Sequence, residues 1–176
     1  LLTRGATKHL IDQLRAVSPA VVDELIPNQM KLAEVQQILQ MLLREGVPIR
    51  QLGPILETLG DYAPRTKDPV LLTEYVRHRL ARTLCARYRD AQNTLHVVTL
   101  DPALEDRIRA GIEHTERGLF IRLSPQAAES ICAAIAAEVE KLTRAQHPPV
   151  VLVSPQIRPA LKQLTAARLS QLVVLS

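Results

Sequence analysis

Leu42-Leu-Arg-Glu-Gly-Val-Pro-Ile-Arg-Gln-Leu-Gly-Pro-Ile-Leu-Glu-Thr-Leu-Gly-Asp-Tyr-Ala-Pro-Arg-Thr-Lys-Asp-Pro-Val-Leu-Leu-Thr-Glu-Tyr-Val-Arg77 holds the punctuation on which the fold turns. Gly46 and Gly60 each follow an apolar stripe of helical spacing, where glycine can take the left-handed conformation that ends a helix. Two helices are therefore expected to end inside this run. Asp68-Pro69 reads as a helix start, because aspartate accepts from orphan amides and proline lacks only an N–H that would go unused there.

Outward from this run, Val35, Ile38, Leu39, Leu42 and Leu43 make one stripe, predicting a helix over about Ala33–Glu45. Ile49, Leu52, Ile55, Leu56 and Leu59 make a second, with Pro54 near its beginning, and a third helix is expected from Pro69 to about Tyr88. Upstream, Leu10, Ile11, Leu14 and Val17 predict a helix over 6–17, Ser18-Pro19 restarts a short one, and Pro27 stops it. The character changes after Asp90-Ala-Gln-Asn93. Leu95–Leu100, Leu119–Leu123, Val150–Val153 and Leu172–Leu175 read as strands. Helices opened by Asp101-Pro102 (Leu104, Ile108 and Ile112 inward), Ser124-Pro125 and Ser154-Pro155 separate them. The expected fold class is mixed α and β and helix-rich: an all-α part followed by a small α/β part of βαβαβ type with parallel pairs.

Composition bounds the class further. The 176 residues are 47% hydrophobic but only 2% aromatic, without Trp, so cores must be built from aliphatic side chains. The longest apolar run, Ile131–Ala137, is far short of the roughly 20 residues a membrane span needs. Cys85 and Cys132 are far apart inside helical patterns and are expected to be buried free thiols in a reducing compartment. The net charge of +4 allows attraction to acidic partners without naming one. Arg77, Arg79, Arg82, Arg87 and Arg89 gather at the end of the third helix; helical spacing puts Arg79, Arg82 and Arg89 on one face, opposite Leu72, Val76, Leu80 and Leu84, and the expected role is a solvated face.

Catalytic chemistry finds no foothold. There is no Gly-x-Ser-x-Gly elbow and no phosphate-cradling glycine pattern. His9, His78, His96, His114 and His147 are scattered without zinc-ligand spacing, with His96 on a strand and His147 in a loop before Pro148-Pro149. The pairs Glu113/Glu116 and Glu138/Glu140 carry no specificity beyond solvated helix positions. No catalytic, cofactor-binding or metal-binding residue is nominated, and no cofactor is expected.

The stretch from Leu39 through Arg65-Thr-Lys-Asp-Pro69 to Thr83, with Pro148-Pro-Val-Val-Leu-Val-Ser-Pro-Gln-Ile-Arg-Pro159 and Gln171-Leu-Val-Val-Leu-Ser176, resembles the FlhA/InvA family of type III secretion export gates. Asp61–Lys67 looks more like the flagellar branch than the injectisome branch. The resemblance implies a non-enzymatic docking and ring-assembly platform on the cytoplasmic face of the bacterial inner membrane. Its partners would be other copies of itself, export chaperone–substrate complexes and soluble export components, and membrane contact would come only through a region upstream of Leu1. It also implies a division into 1–27, the end of a first cytosolic subdomain; 28–91, a helical third subdomain; and 92–176, an α/β fourth subdomain. Arg44, Glu45, Arg50, Arg65 and Lys67 flank the helices of the part associated with ring contacts and are the candidate subunit-interface residues. For Asp61, Arg65, Lys67 and Asp68 the competing expectation is an internal ion-pair network that fixes the turn. The chain, starting without Met, reads as a piece of a longer protein lacking the principal chaperone cleft. The rival functional readings are a basic helical nucleic-acid-binding module, which lacks stacking aromatics, and an α/β enzyme built on 92–176.

Overall fold

The computed structural model, which describes residues 1–176, gives three of the five proline-marked helix starts a side chain that caps a free amide. Asp68, Asp101 and Ser124 accept from Val70 N (2.9 Å), Ala103 N (2.8 Å) and Ala127 N (3.1 Å). They open α5 (Pro69–Arg79), α7 (Pro102–Ala110) and α8 (Pro125–Arg144). Ser18 separates α1 (Arg4–Val17) from α2 (Pro19–Leu25) without a side-chain cap bond. At Ser154-Pro155 the expected start is three residues early, since α9 spans Arg158–Thr165. A helix begun at 155 would place Pro159 in its interior, where the missing N–H and the ring clash are costly; beginning at Arg158 leaves Pro159 in the first turn.

The chain forms two units, Leu1–Leu84 and Cys85–Ser176. In the first, α1 and α2 share an aliphatic core with α3 (Leu32–Arg44), α4 (Leu52–Tyr62) and α5. Val22, Leu25, Val35, Ile38, Leu39, Leu42, Ile55, Leu56, Leu59 and Val76 are wholly buried, each fully buried large aliphatic contributing about 1.5–3 kcal/mol. Gly46 ends α3 as expected, with φ +70. Gly46 N donates to Leu43 O and Val47 N to Leu42 O, and buried Val47 covers the end. Gly60 does not end α4. Ala63 N still donates to Leu59 O at 2.8 Å, and burial of Ala63 with stacking of Tyr62 on Tyr75 keeps the last turn helical.

The expected single helix from Pro69 to Tyr88 is broken at Leu80, giving α5 and α6 (Ala81–Ala86). Leu72, Val76, Leu80 and Leu84 are all buried, yet positions spaced by four drift around a straight helix by about 40° each step. The break resets that drift. It also takes Arg89 off the helix, so the expected three-arginine face is not formed.

In the second unit β1 (Val98–Thr99), β4 (Val150–Leu152) and β5 (Val173–Leu175) form a parallel sheet in the order β1-β4-β5. A hairpin of β2 (Ile112–Thr115) and β3 (Gly118–Ile121) is separate. Ile108, Ile135, Val151, Ile157 and Leu161 centre its core. Arg158, almost wholly buried, donates through Nη1 to Val174 O at 3.2 Å.

Two expectations for this unit change. Ile112 lies on β2, not on α7: Gly111 ends α7 and sits so close to the returning strand that an added Cβ would lie 2.8 Å from Arg122 O. The strand expected over Leu95–Leu100 pairs only at Val98–Thr99. With Val98 opposite Val151, residues 95 and 96 fall opposite Pro148 and Pro149, which have no N–H for a ladder. Cys132 is buried as expected, whereas Cys85 is half-buried. No helix is long and apolar enough to cross a membrane.

Candidate functional site

The five nominated residues fall at the two turns of the opening run. Arg44 closes α3 and is exposed, as is Arg50 in the following turn. Glu45 faces inward instead: its carboxylate lies 3.2 Å from Nη1 of Arg77, whose side chain is only 8% exposed. That pair joins the end of α3 to α5, and a partner would have to break it to use either group. It also removes Arg77 from the basic set, leaving Arg79, Arg82, Arg87 and Arg89 at the surface.

The connector between α4 and α5 is fixed by local contacts. Arg65 N and Thr66 N donate to Tyr62 O, Asp68 N donates to Thr66 Oγ1, and the Asp68 carboxylate caps α5. The Arg65 guanidinium lies over the Tyr62 ring at 5.7 Å from its centroid while staying exposed. Lys67 Nζ donates to Gln29 O at 2.6 Å, tying the connector to the turn before α3. Arg44, Arg50 and Arg65 thus present charge outward, whereas Glu45 and Lys67 hold the unit together.

Sequence reasoning did not locate an acidic cleft elsewhere on this unit. A cleft of about 90 Å³ on the same unit is lined by Glu24 and Val21 of α2 and by Leu56, Glu57, Gly60 and Asp61 of α4. Its three carboxylates are all exposed and make this an acidic patch that suits a cationic side chain. The signal was split between two helices, and only their packing assembles it.

The second unit holds another cluster missed in the sequence. Asp90 Oδ1 accepts from Gln92 N (3.0 Å) and Thr94 N (2.8 Å), while Oδ2 lies 2.8 Å from His96 Nε2. The Thr94 amide first, and His96 next, hold the Asp90 carboxyl below the usual aspartate range. The His96 ring stacks on His147, centroids 3.7 Å apart. His147 reaches this place because α8 ends with Gln146 at φ +62 and His147 N donating to Leu142 O.

The FHIPEP family model matches residues 1–176, the whole chain. This chain belongs to the FHIPEP family. The flagellar biosynthesis protein FlhA of Bacillus subtilis is 40% identical over 176 residues, covering all of this chain and 26% of that protein. Invasion protein InvA of Salmonella typhimurium is 33% identical over 170 residues, 97% of this chain and 24% of that protein. The chain thus spans about a quarter of the length of the curated relatives it matches. Among solved structures, a nonameric SctV-C from EPEC superposes with a TM-score of 0.87 at 30% identity, over 99% of this chain and 52% of that one. The Chlamydia pneumoniae CdsV chain in its complex with CdsO superposes with a TM-score of 0.83 at 26% identity, over 98% of this chain and 51% of that one. The mixed α/β fold expected from the sequence is therefore the fold of these FHIPEP-family domains, and the family expected from the opening run is the one found.

Proposed function

We propose that this chain works without catalysing a reaction, as a self-assembling docking surface in the cytosolic part of a type III export gate of the flagellar branch. The observation that carries this reading is end-to-end agreement with a subunit of a nonamer, a TM-score of 0.87 over 99% of the chain. The higher identity to the B. subtilis FlhA, 40% against 33% for InvA, supports the flagellar branch.

A ring needs a head-to-tail contact, in which two different patches of one subunit meet their complements on the neighbours. The helical unit supplies such patches: exposed Arg44, Arg50 and Arg65, and the carboxylate cleft of Glu24, Glu57 and Asp61. Glu45 and Lys67, nominated with the arginines, serve the ring indirectly by holding the turns that carry them. In the whole protein the assembled ring would sit at the cytoplasmic face of the inner membrane. There it would receive chaperone–substrate complexes and soluble export proteins; the complex of CdsV with CdsO lends support to a protein partner. Because the principal chaperone cleft would lie upstream, residues 1–176 alone should bind an export chaperone weakly.

The experiment is charge reversal in the full protein. Arg44→Glu with Arg65→Glu should abolish ring assembly in sedimentation and electron microscopy and reduce flagellar export, while leaving the far-UV CD spectrum unchanged and lowering the thermal midpoint by no more than about 2–4 °C through loss of the Arg65–Tyr62 contact. Rings that form normally in the double variant would refute the interface. Near-native chaperone affinity of residues 1–176 would refute the placement of the cleft.

A further inference from the structure

We propose that Asp90, His96 and His147 form a binding site for one divalent transition-metal ion of the zinc type. The sequence scatters these residues over a span of 57 positions, and the parallel register assembles them. With Val98 opposite Val151, residue 96 falls opposite Pro149, beside the turn that carries His147. The candidate ligand atoms, one from each side chain, all lie within 4.8 Å of one another.

The donor set has the chemistry of such a site. Two imidazoles and one carboxylate are borderline ligands that favour zinc, nickel or cobalt over magnesium or calcium. Three protein ligands leave a fourth tetrahedral position for water, and all three side chains are half-buried, so that position stays accessible. The carboxylate is already oriented, because Oδ1 is occupied by the Gln92 and Thr94 amides and Oδ2 faces His96. Such outer contacts normally hold a metal ligand in place.

Bonds of about 2.0–2.1 Å in a tetrahedron bring ligand atoms to about 3.3 Å of one another. The cluster must therefore contract, by up to about 1.5 Å at its widest. The His96–His147 stack must open as well, because two near-parallel rings 3.7 Å apart cannot both aim an in-plane lone pair at one ion. Both histidines lie outside the ladder, in the approach to β1 and the turn after α8, where their rings can turn. On binding, His96 Nε2 exchanges its hydrogen bond to Asp90 for a bond to the metal, and the ring proton moves to Nδ1. The ion would clip the segment entering β1 to the turn between α8 and β4.

The test titrates Zn²⁺ alone into the 176-residue chain by calorimetry at neutral pH, with histidine-ring NMR on the same sample. We expect one ion per chain with a dissociation constant of about 10 μM or tighter, equivalent to about 7 kcal/mol. The rings of His96 and His147 should shift, and those of His9, His78 and His114 should not. His147→Asn and Asp90→Asn should each weaken binding at least about tenfold, and Cys85→Ser should leave it unchanged. Weaker binding, binding that survives both substitutions, or ring shifts at the other histidines would overturn the site. The ring-shift pattern decides the matter on the unaltered chain even if a variant folds poorly.

Discussion

Helices α3 and α8 end in the same hydrogen-bond pattern made from different residues. At α3, Gly46 has φ +70, Gly46 N donates to Leu43 O, and Val47 N donates to Leu42 O. At α8, Gln146 has φ +62, Gln146 N donates to Thr143 O, and His147 N donates to Leu142 O. Glycine meets no Cβ penalty in that conformation, whereas an ordinary L residue loses about 1–2 kcal/mol. The next residue along the chain differs too. Val47 is 2% exposed and belongs to the aliphatic core, while His147 is half-buried and stacks on His96. One end seals a core; the other delivers a polar ring to a cluster, and the strained residue there accompanies a functional candidate.

The comparison can be broken most directly through the apolar residues beneath the two ends. Leu42→Ala should destabilise the helical unit by about 2–5 kcal/mol, read from urea denaturation followed by CD. Leu142→Ala should cost less than half as much, because Leu142 is only half-buried. Equal losses would show that the two ends carry equal weight in their cores. Next, Gly46→Ala should cost about 1–2 kcal/mol, since it forces a Cβ into the left-handed region. Gln146→Gly should act in the opposite sense, stabilising the second unit by about 1 kcal/mol at most after the added freedom of the unfolded chain is counted. The same sign for both substitutions would dissolve the distinction.

The smallest effect is on thiol chemistry within α8. Burial pushes the Cys132 thiol up from its ordinary range, so its reactive thiolate appears only at higher pH. Maleimide at pH 7.5 should label half-buried Cys85 at least about tenfold faster than Cys132. Gln146→Gly, by firming the end of α8, should slow Cys132 further. Comparable labelling rates in the parent chain would mean that α8 opens readily around Cys132.

Much of the helical unit was legible because its devices are local. The stripe through Val35–Leu43, the stop at Gly46 and the cap at Asp68 each lie within a few residues of what they control. Gly60 misled because its conformation is set by Ala63 and by the Tyr62–Tyr75 stack, not by the glycine itself. The single helix expected over Pro69–Tyr88 failed because the core demanded a reset at Leu80 that spacing alone does not announce. In the second unit β2 was missed, since Ile112-Glu-His-Thr115 buries no residue fully and so lacks an alternating pattern.

The candidate sites divide along the same line. Arg44, Arg50 and Arg65 were nominated for a subunit contact on the family resemblance, with an internal ion-pair network as the competing reading of Arg65; their exposure comes from the structure. The inward turn of Glu45 toward Arg77 and the anchoring of Lys67 on Gln29 required knowing which helix lies beside which turn. By itself, the sequence determined the family, the aliphatic cores and most helix ends, since periodicity, capping and close family resemblance are written in neighbouring residues. Only the tertiary structure decided that three carboxylates share one cleft and that Asp90, His96 and His147 meet, because helix packing and strand register join residues that the chain keeps far apart.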